Sequence, residues 1–288
     1  VAVSVAAAYV SPITWTRFAP VQSSTARLPA TGIGKAMSVT SGTKSESGVG
    51  ETIRVVIHAL IIALIIRTFL FQPFNIPSGS MKATLLVGDY LFVSKYTYGY
   101  SHYSIPLSPP LFSGRIFGSD PNRGDVVVFR LPKDDSTDYI KRVIGLPGDR
   151  IQMREGLLYI NDKPVDRERL SDYVGEDPCG SEATARVKRW KETLPNGVSY
   201  ETLDCVDNGF YDNTNVYTVP PGHFFMMGDN RDNSTDSRVL SAVGYVPYEN
   251  IIGRAQMIFF SIAEGEHAWQ IWRWPTAVRW SRIFSIVR

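Results

Sequence analysis

The sequence predicts a mainly β fold, built of antiparallel sheets or a partly open barrel, behind a single N-terminal transmembrane helix. Three observations predict it: one continuous apolar run near residue 60, a change to period-two alternation after residue 73, and turn punctuation with no long amphipathic segment between the strands. With 288 residues, 44% of them hydrophobic, the chain can bury a core. A net charge of +2 leaves no nucleic-acid footprint, so no nucleic-acid partner is expected and partners are read from local features.

Residues 1–50 are rich in Ala, Ser, Thr and Gly with no sustained period, which predicts disorder. The first residue is Val, so an over-extended reading is expected, with Met37 as the true start. The run VVIHALIIALIIRTFLF, Val55 to Phe71, has 17 residues, about 26 Å as a helix against roughly 30 Å of hydrocarbon. Apolar residues cover every face of it, and Arg67 near its end can snorkel, so residues 52–72 read as a transmembrane anchor. A buried core helix is opposed by the missing polar face. A cleaved leader is opposed by the missing small-x-small site in QPFNIPSGS. Lys44 and Arg54 precede the run, which puts that end in the cytoplasm and the body outside.

The body, residues 73–268, reads as strands at Tyr90–Lys95, Gly124–Leu131, Asp138–Gly145, Gly156–Asp162, Val216–Pro220, His223–Asp229 and Ile251–Ile262, separated by Gly-Asp, Pro-Gly and Asn-Asp turns. Residues 163–215 are more polar and read as an insertion on the sheet. Both cysteines, Cys179 and Cys205, lie there, at neither a zinc nor a CxxC spacing, which leaves two free thiols or one disulfide. An extracytoplasmic body favours the disulfide, and closing that loop would stabilise by about 3 kcal/mol. The tail, residues 269–288, has four arginines, four tryptophans and no acid. Trp280, Ile283, Phe284 and Val287 fall at helical spacing, a face for a membrane interface or for packing on the body.

Familiar nucleophile signatures are absent. There is no GxSxG, HExxH or Walker sequence, and neither serine of PSGSM opens an SxxK, since Ala83 follows Ser80 by three and Met81 follows Ser78 by three. His58 lies in the anchor, while His102, His223 and His267 have ordinary contexts, so a serine hydrolase would need another base. Lysine is the candidate class, because desolvation stabilises its neutral form. In DYIKRVIG, alternation sends Lys141 and Arg142 to opposite faces of one strand. Lys141 can respond to burial by losing its proton, whereas Arg142 stays charged and needs a partner; the alternative is a lysine snorkelling over the sheet edge. The polar stretch MMGDNRDNSTDSR, Met226 to Arg238, fails as a calcium loop, since counting from Asp232 puts Ser237 at the glycine position and Val243 at the glutamate position. No metal set is predicted. Asn233-Ser234-Thr235 is a glycosylation sequon with meaning in a eukaryotic secretory setting alone. Asp236 and Arg238 can pair and fix the loop that carries Ser234, against the plain reading of a solvated turn.

PSGSM after an anchor, YIKR near GLPGD, and GDNRDNSTDSR, in that order, resemble the boxes of bacterial type I signal peptidase, the membrane-bound leader peptidase, over about residues 50–262. Ala83 departs from the proline many members carry, and one span is found where the family often has two. The resemblance implies Ser80 as nucleophile and Lys141 as general base. It also implies an oxyanion hole of the Ser78 hydroxyl and the Ser80 N–H, Ser234 orienting the lysine, and Asp236 with Arg238 as a supporting ion pair. The implied reaction removes signal peptides of exported preproteins after a small-x-small sequence, through an acyl-enzyme and without cofactor. The lipid bilayer is the other implied partner, in a bacterial inner membrane. Gly79, without a Cβ, would let the scissile carbonyl approach. Seven residues from Pro73 to Ser80 reach at most about 25 Å, which keeps the nucleophile near the bilayer. A membrane-anchored binding domain or a self-cleaving repressor peptidase are the alternatives from other classes.

Overall fold

The computed structural model describes residues 48–175, 178–179 and 187–288. The expectations for residues 1–47, the start at Met37 included, lie outside the described residues. Helix α1, Gly48–Phe69, has 22 residues and no buried side chain, and at 1.5 Å per residue it is about 33 Å long, enough to cross a bilayer. It sits a few residues earlier than the span 52–72. Phe71 and Gln72, assigned above to the anchor, instead open the first strand, because Pro73 cannot continue a helix and the last helical bond runs from Leu70 N–H to Ile66 O at 2.8 Å.

The strands among the described residues are β1 Phe71–Asn75, β2 Asp89–Ser94, β3 Val126–Arg130, β4 Asp138–Gly145, β5 Arg150–Arg154, β6 Leu157–Ile160, β7 Lys163–Pro164, β8 Asp166–Arg169, β9 Lys188–Thr193, β10 Ser199–Asp204, β11 Tyr217–Thr218, β12 His223–Met227, β13 Val246–Pro247 and β14 Ile251–Ser261. Their pairings are antiparallel, as the alternation and turn signals predict. The main sheet runs β1-β2-β14-β3-β4-β12-β13, with smaller sheets β11-β5-β6-β7 and β10-β9-β8. Met81, Leu85, Leu91, Val93, Val126 and Ile252 pack into one of three apolar clusters that hold the sheets together. The insertion is itself a sheet. Its β9–β10 hairpin turns at Pro195-Asn196-Gly197, where Gly197 has φ +84°, a conformation L side chains rarely adopt. The structure bonds Cys179 to Cys205, with Cα atoms 5.9 Å apart.

The tail forms no α-helix over residues 280–288, contrary to its spacing, and has one 3-10 turn at Trp280–Arg282. β14 has eleven residues and β3 five, so the second half of β14 has an open edge on that side. The tail occupies it: Phe284 N–H donates to Ile258 O at 2.7 Å, Val287 N–H to Gln256 O at 2.9 Å and Arg279 N–H to Ser261 O at 2.9 Å. Backbone pairing with an open edge outweighs a helical preference that short segments hold weakly. Val287 joins the apolar cluster, whereas Trp280 and Phe284 face outward.

Candidate active site

Ser80 sits in a single turn of 3-10 helix, Gly79–Met81, that follows β1. The next side chains explain its fixed position: Met81 and Leu85 are fully buried in an apolar cluster shared with β2, β3 and β14, while Ser80, itself buried, lines the cleft. Lys141 comes from β4, where it lies opposite Val127 of β3. Its Nζ donates to Ser80 Oγ at 2.7 Å and to Ile140 O at 3.0 Å. At 3% exposure it does not snorkel, which corrects that alternative. Burial lowers the Lys141 ammonium from its ordinary value to about 8, against the pull of Asp236 and Asp229. The neutral amine needed to accept a serine proton is therefore accessible near physiological pH.

The polar stretch after β12 is an ordered, buried loop and not a solvated turn. Asp236 is fully buried; burial opposes its charge, but Arg238 overcomes this by donating to both oxygens, Nε to Oδ1 at 2.9 Å and Nη2 to Oδ2 at 2.8 Å. Gly228 N–H and the Ser234 hydroxyl add to Oδ2 at 3.0 and 2.8 Å, and the carboxyl ends below its usual range. Ser234 thus lines the same cleft as Lys141, of about 600 Å³, with its hydroxyl committed to Asp236. Among the described residues no hydrogen bond joins it to the lysine. Ser78 is exposed at the cleft mouth, its Oγ 3.4 Å from Ser80 Oγ. A Cβ on Gly79 would touch Lys82 Cδ at 3.4 Å, an ordinary contact, so nothing in the fold itself demands glycine there.

Residues 49–260 match the family described as Signal peptidase, peptidase S26. The chain belongs to that family. It is 44% identical to Signal peptidase I of Rickettsia typhi (strain ATCC VR-144 / Wilmington) over 263 residues, 84% of this chain and 96% of the relative. Signal peptidase I of Rickettsia conorii (strain ATCC VR-613 / Malish 7) is 49% identical over 210 residues, 70% of this chain and 76% of the relative. A solved signal peptidase I from Enterococcus faecalis V583 aligns at 26% identity over 47% of this chain and 97% of that one, with a TM-score of 0.27, too low to add to the strand pairings above.

As a member of a signal peptidase family the chain is a peptidase, and behind its cleft lie groups whose partners sequence reasoning did not assign. Arg142, on the face of β4 opposite Lys141, forks onto Asp229, Nε to Oδ1 at 2.8 Å and Nη2 to Oδ2 at 2.7 Å, and stacks 4.1 Å from the Tyr200 ring. Thr84 Oγ1, four residues past Ser80, donates to the same carboxylate. This fully buried pair ties β4, the Ser80 segment and the end of β12 together. Gly228 is the second omission. A Cβ there would lie 2.6 Å from Ser80 O and would overlap Ser234 as well, so glycine alone lets the loop lie against Ser80. The third is Asn230, whose side chain is wholly buried. It lies inside the quoted box, but no periodicity separates it from turn residues.

Proposed function

We propose that the chain is a membrane-anchored serine endopeptidase that removes N-terminal signal peptides from exported preproteins after a small-x-small sequence. The observation that carries this reading is the 2.7 Å contact between a buried, pKa-depressed Lys141 and Ser80 Oγ. Neutral Lys141 takes the Ser80 proton, Oγ attacks the scissile carbonyl, and the Ser80 N–H with the Ser78 hydroxyl receives the oxyanion. Lys141 then gives its proton to the departing amine of the mature protein, leaving an acyl-enzyme. Water activated by the same amine releases the signal peptide.

The substrate would lie along β4. β12 pairs with β4 at Arg142, Val143 and Gly145, so the edge of Asp138–Ile140 on that side is open and lines the cleft. An extended chain adding there would present alternate side chains to the wall, and crowded positions would admit small residues alone. The bilayer reading rests on α1 and on the aromatic row that starts where it ends: Phe71 lies 6.1 Å from Phe92, and Phe92 stacks on Phe259 at 4.3 Å. With α1 spanning an inner membrane and the body outside, a signal peptide held in the bilayer would present its end at the height of Ser80.

Incubating detergent-solubilised protein with a preprotein and weighing the new N-terminal fragment tests the proposal. Cleavage after small-x-small is expected from the native chain and loss of cleavage from Ser80→Ala and from Lys141→Ala, with circular dichroism unchanged. Full activity in either variant would reject the dyad.

A further inference from the structure

We infer that Asn230 is a positioning residue for the oxyanion donor, held in place by the Cys179–Cys205 disulfide. The inference rests on the Ser80 assignment above. Asn230 is wholly buried and spends its donors on the nucleophile's main chain: Nδ2 donates to Gly79 O at 3.1 Å, and its own N–H donates to Ser80 O at 3.1 Å. The carbonyl of Gly79 and the N–H of Ser80 belong to one planar peptide unit, and in the trans form they point in opposite directions. Fixing the Gly79 oxygen therefore fixes the direction in which the Ser80 N–H can donate. A donor on that oxygen also polarises the unit and strengthens the N–H. The second bond does the same for the following peptide, so one asparagine bears on the planes on both sides of Ser80, beside the Lys82 N–H that also donates to Gly79 O at 3.1 Å.

Asn230 is in turn gripped by the insertion. Its Nδ2 donates to Pro178 O at 2.6 Å, and Asn233 Nδ2 donates to the same oxygen at 2.9 Å. Pro178 is bonded to Cys179, and Cys205 Sγ lies 3.6 Å from Asn230 Oδ1. The segment that ends in Cys205 runs alongside the loop: Leu203 N–H donates to Asp229 O and Arg231 N–H to Leu203 O, each at 2.9 Å. Cys205 and Val206 N–H groups hold Asp232 Oδ2 at 2.7 and 3.0 Å. The disulfide thus fastens the Pro178 carbonyl to the strand that pairs with the Asn230 loop, and Asn230 passes that order to the peptide carrying the oxyanion donor. Without the cross-link, Pro178 O is free to leave and the amide loses the acceptor that fixes its rotation.

The experiment measures kcat, KM and the pH dependence of kcat/KM for preprotein cleavage by the full chain in detergent. Asn230→Ala is expected to lower kcat roughly 10- to 100-fold, part of what a whole oxyanion donor contributes, with KM within about twofold. Its pH limb stays near 8, because Lys141 bonds Ser80 and Ile140 and not Asn230. Replacing Cys179 and Cys205 together by Ser is expected to lower kcat in the same sense, and to cost nothing further when added to Asn230→Ala, since both act through one amide. Native kcat in Asn230→Ala, a loss confined to KM, or a displaced pH limb overturns the inference. Multiplying losses in the combined variant overturn the part played by the disulfide. Should circular dichroism show Asn230→Ala unfolded, Asn230→Asp, of equal size and lacking the Nδ2 donor, is read by the same kcat and KM criteria. Should the cysteine variant not fold, phosphine reduction of the native chain replaces it. Ser80→Ala separates the two readings: cleavage by that variant rejects the dyad, whereas its inactivity beside a fully active Asn230→Ala rejects this inference alone.

Discussion

A lysine whose ammonium is driven out of water into a protein wall is the centre of this site. Burial lowers Lys141 to about 8, so below that pH most molecules carry the proton and cannot take one from Ser80. The value of kcat/KM is expected to rise with pH up to about 8 and then level, falling about tenfold per unit on the acid side. A flat profile in stopped preprotein assays from pH 6 to 10 would contradict a neutral-lysine base. The same shift has a stability sign. In the unfolded chain the lysine keeps its ordinary value of 10.5, so between about 8 and 10.5 the unfolded state binds more protons and stability rises with pH; below about 8 the full cost of burial is present. Lys141→Met is therefore expected to be inactive yet more stable than the native chain at pH 7, on the order of 2 kcal/mol in urea titration, with the gain fading between those two values. That Lys141 and Arg142 would face opposite sides was legible in DYIKRVIG from strand alternation. That Lys141 alone of the two could act as a base followed from side-chain chemistry; that Asp229 would be the arginine's partner was not legible, because a fork between two buried chains leaves no local period.

Elements succeed where their register is pinned and were misjudged where an edge decided. β4 and β12 stand where alternation put them, and the loop between β12 and β13 is braced internally by Gly228 and Arg238 on Asp236 and joined to the Ser80 turn by Asn230. Gly228→Ala would push a Cβ to within 2.6 Å of Ser80 O, and the displacement is expected to lower kcat roughly 100-fold while the far-ultraviolet dichroism is kept. Arg142→Ala leaves Asp229 buried without its fork and is expected to cost about 3–5 kcal/mol in denaturant titration, far more than an exposed pair would. The β9–β10 hairpin was missed although Asn196-Gly197 is a strong turn signal, because its strands KRWKET and SYETLD are too polar to stand out from a loop. The helical spacing of the tail misled for the converse reason: nothing in residues 280–288 reveals that a long strand elsewhere has a vacant edge.

At the scale of the whole molecule, α1, the sheet and the tail converge on the Ser80 segment. α1 passes into β1 within two residues, β1 leads to the Ser80 turn, and the tail reaches the same segment from the other side. Arg282 donates to Thr84 O at 3.0 Å and binds both oxygens of buried Asp89, while Arg142 Nη2 donates to Arg288 O at 3.1 Å. Truncation before residue 278 is expected to lower the melting temperature of the detergent-solubilised body and its activity together; an unchanged melt would mean that the tail rests on the surface without supporting it. The fold class and the three boxes were legible because period and order are local properties of the chain. The long-range bonds that aim Ser80 come from residues up to two hundred positions away, and a sequence displays those as ordinary polar residues. The central claim, Ser80 attacking with Lys141 as its base, is most directly tested by acid-quenching preprotein turnover at pH 9 and mapping the covalent adduct by mass. A signal-peptide acyl group on Ser80, absent from Lys141→Ala, is the expected result. An adduct on any other residue, or an equal amount on Ser80 in Lys141→Ala, would contradict it.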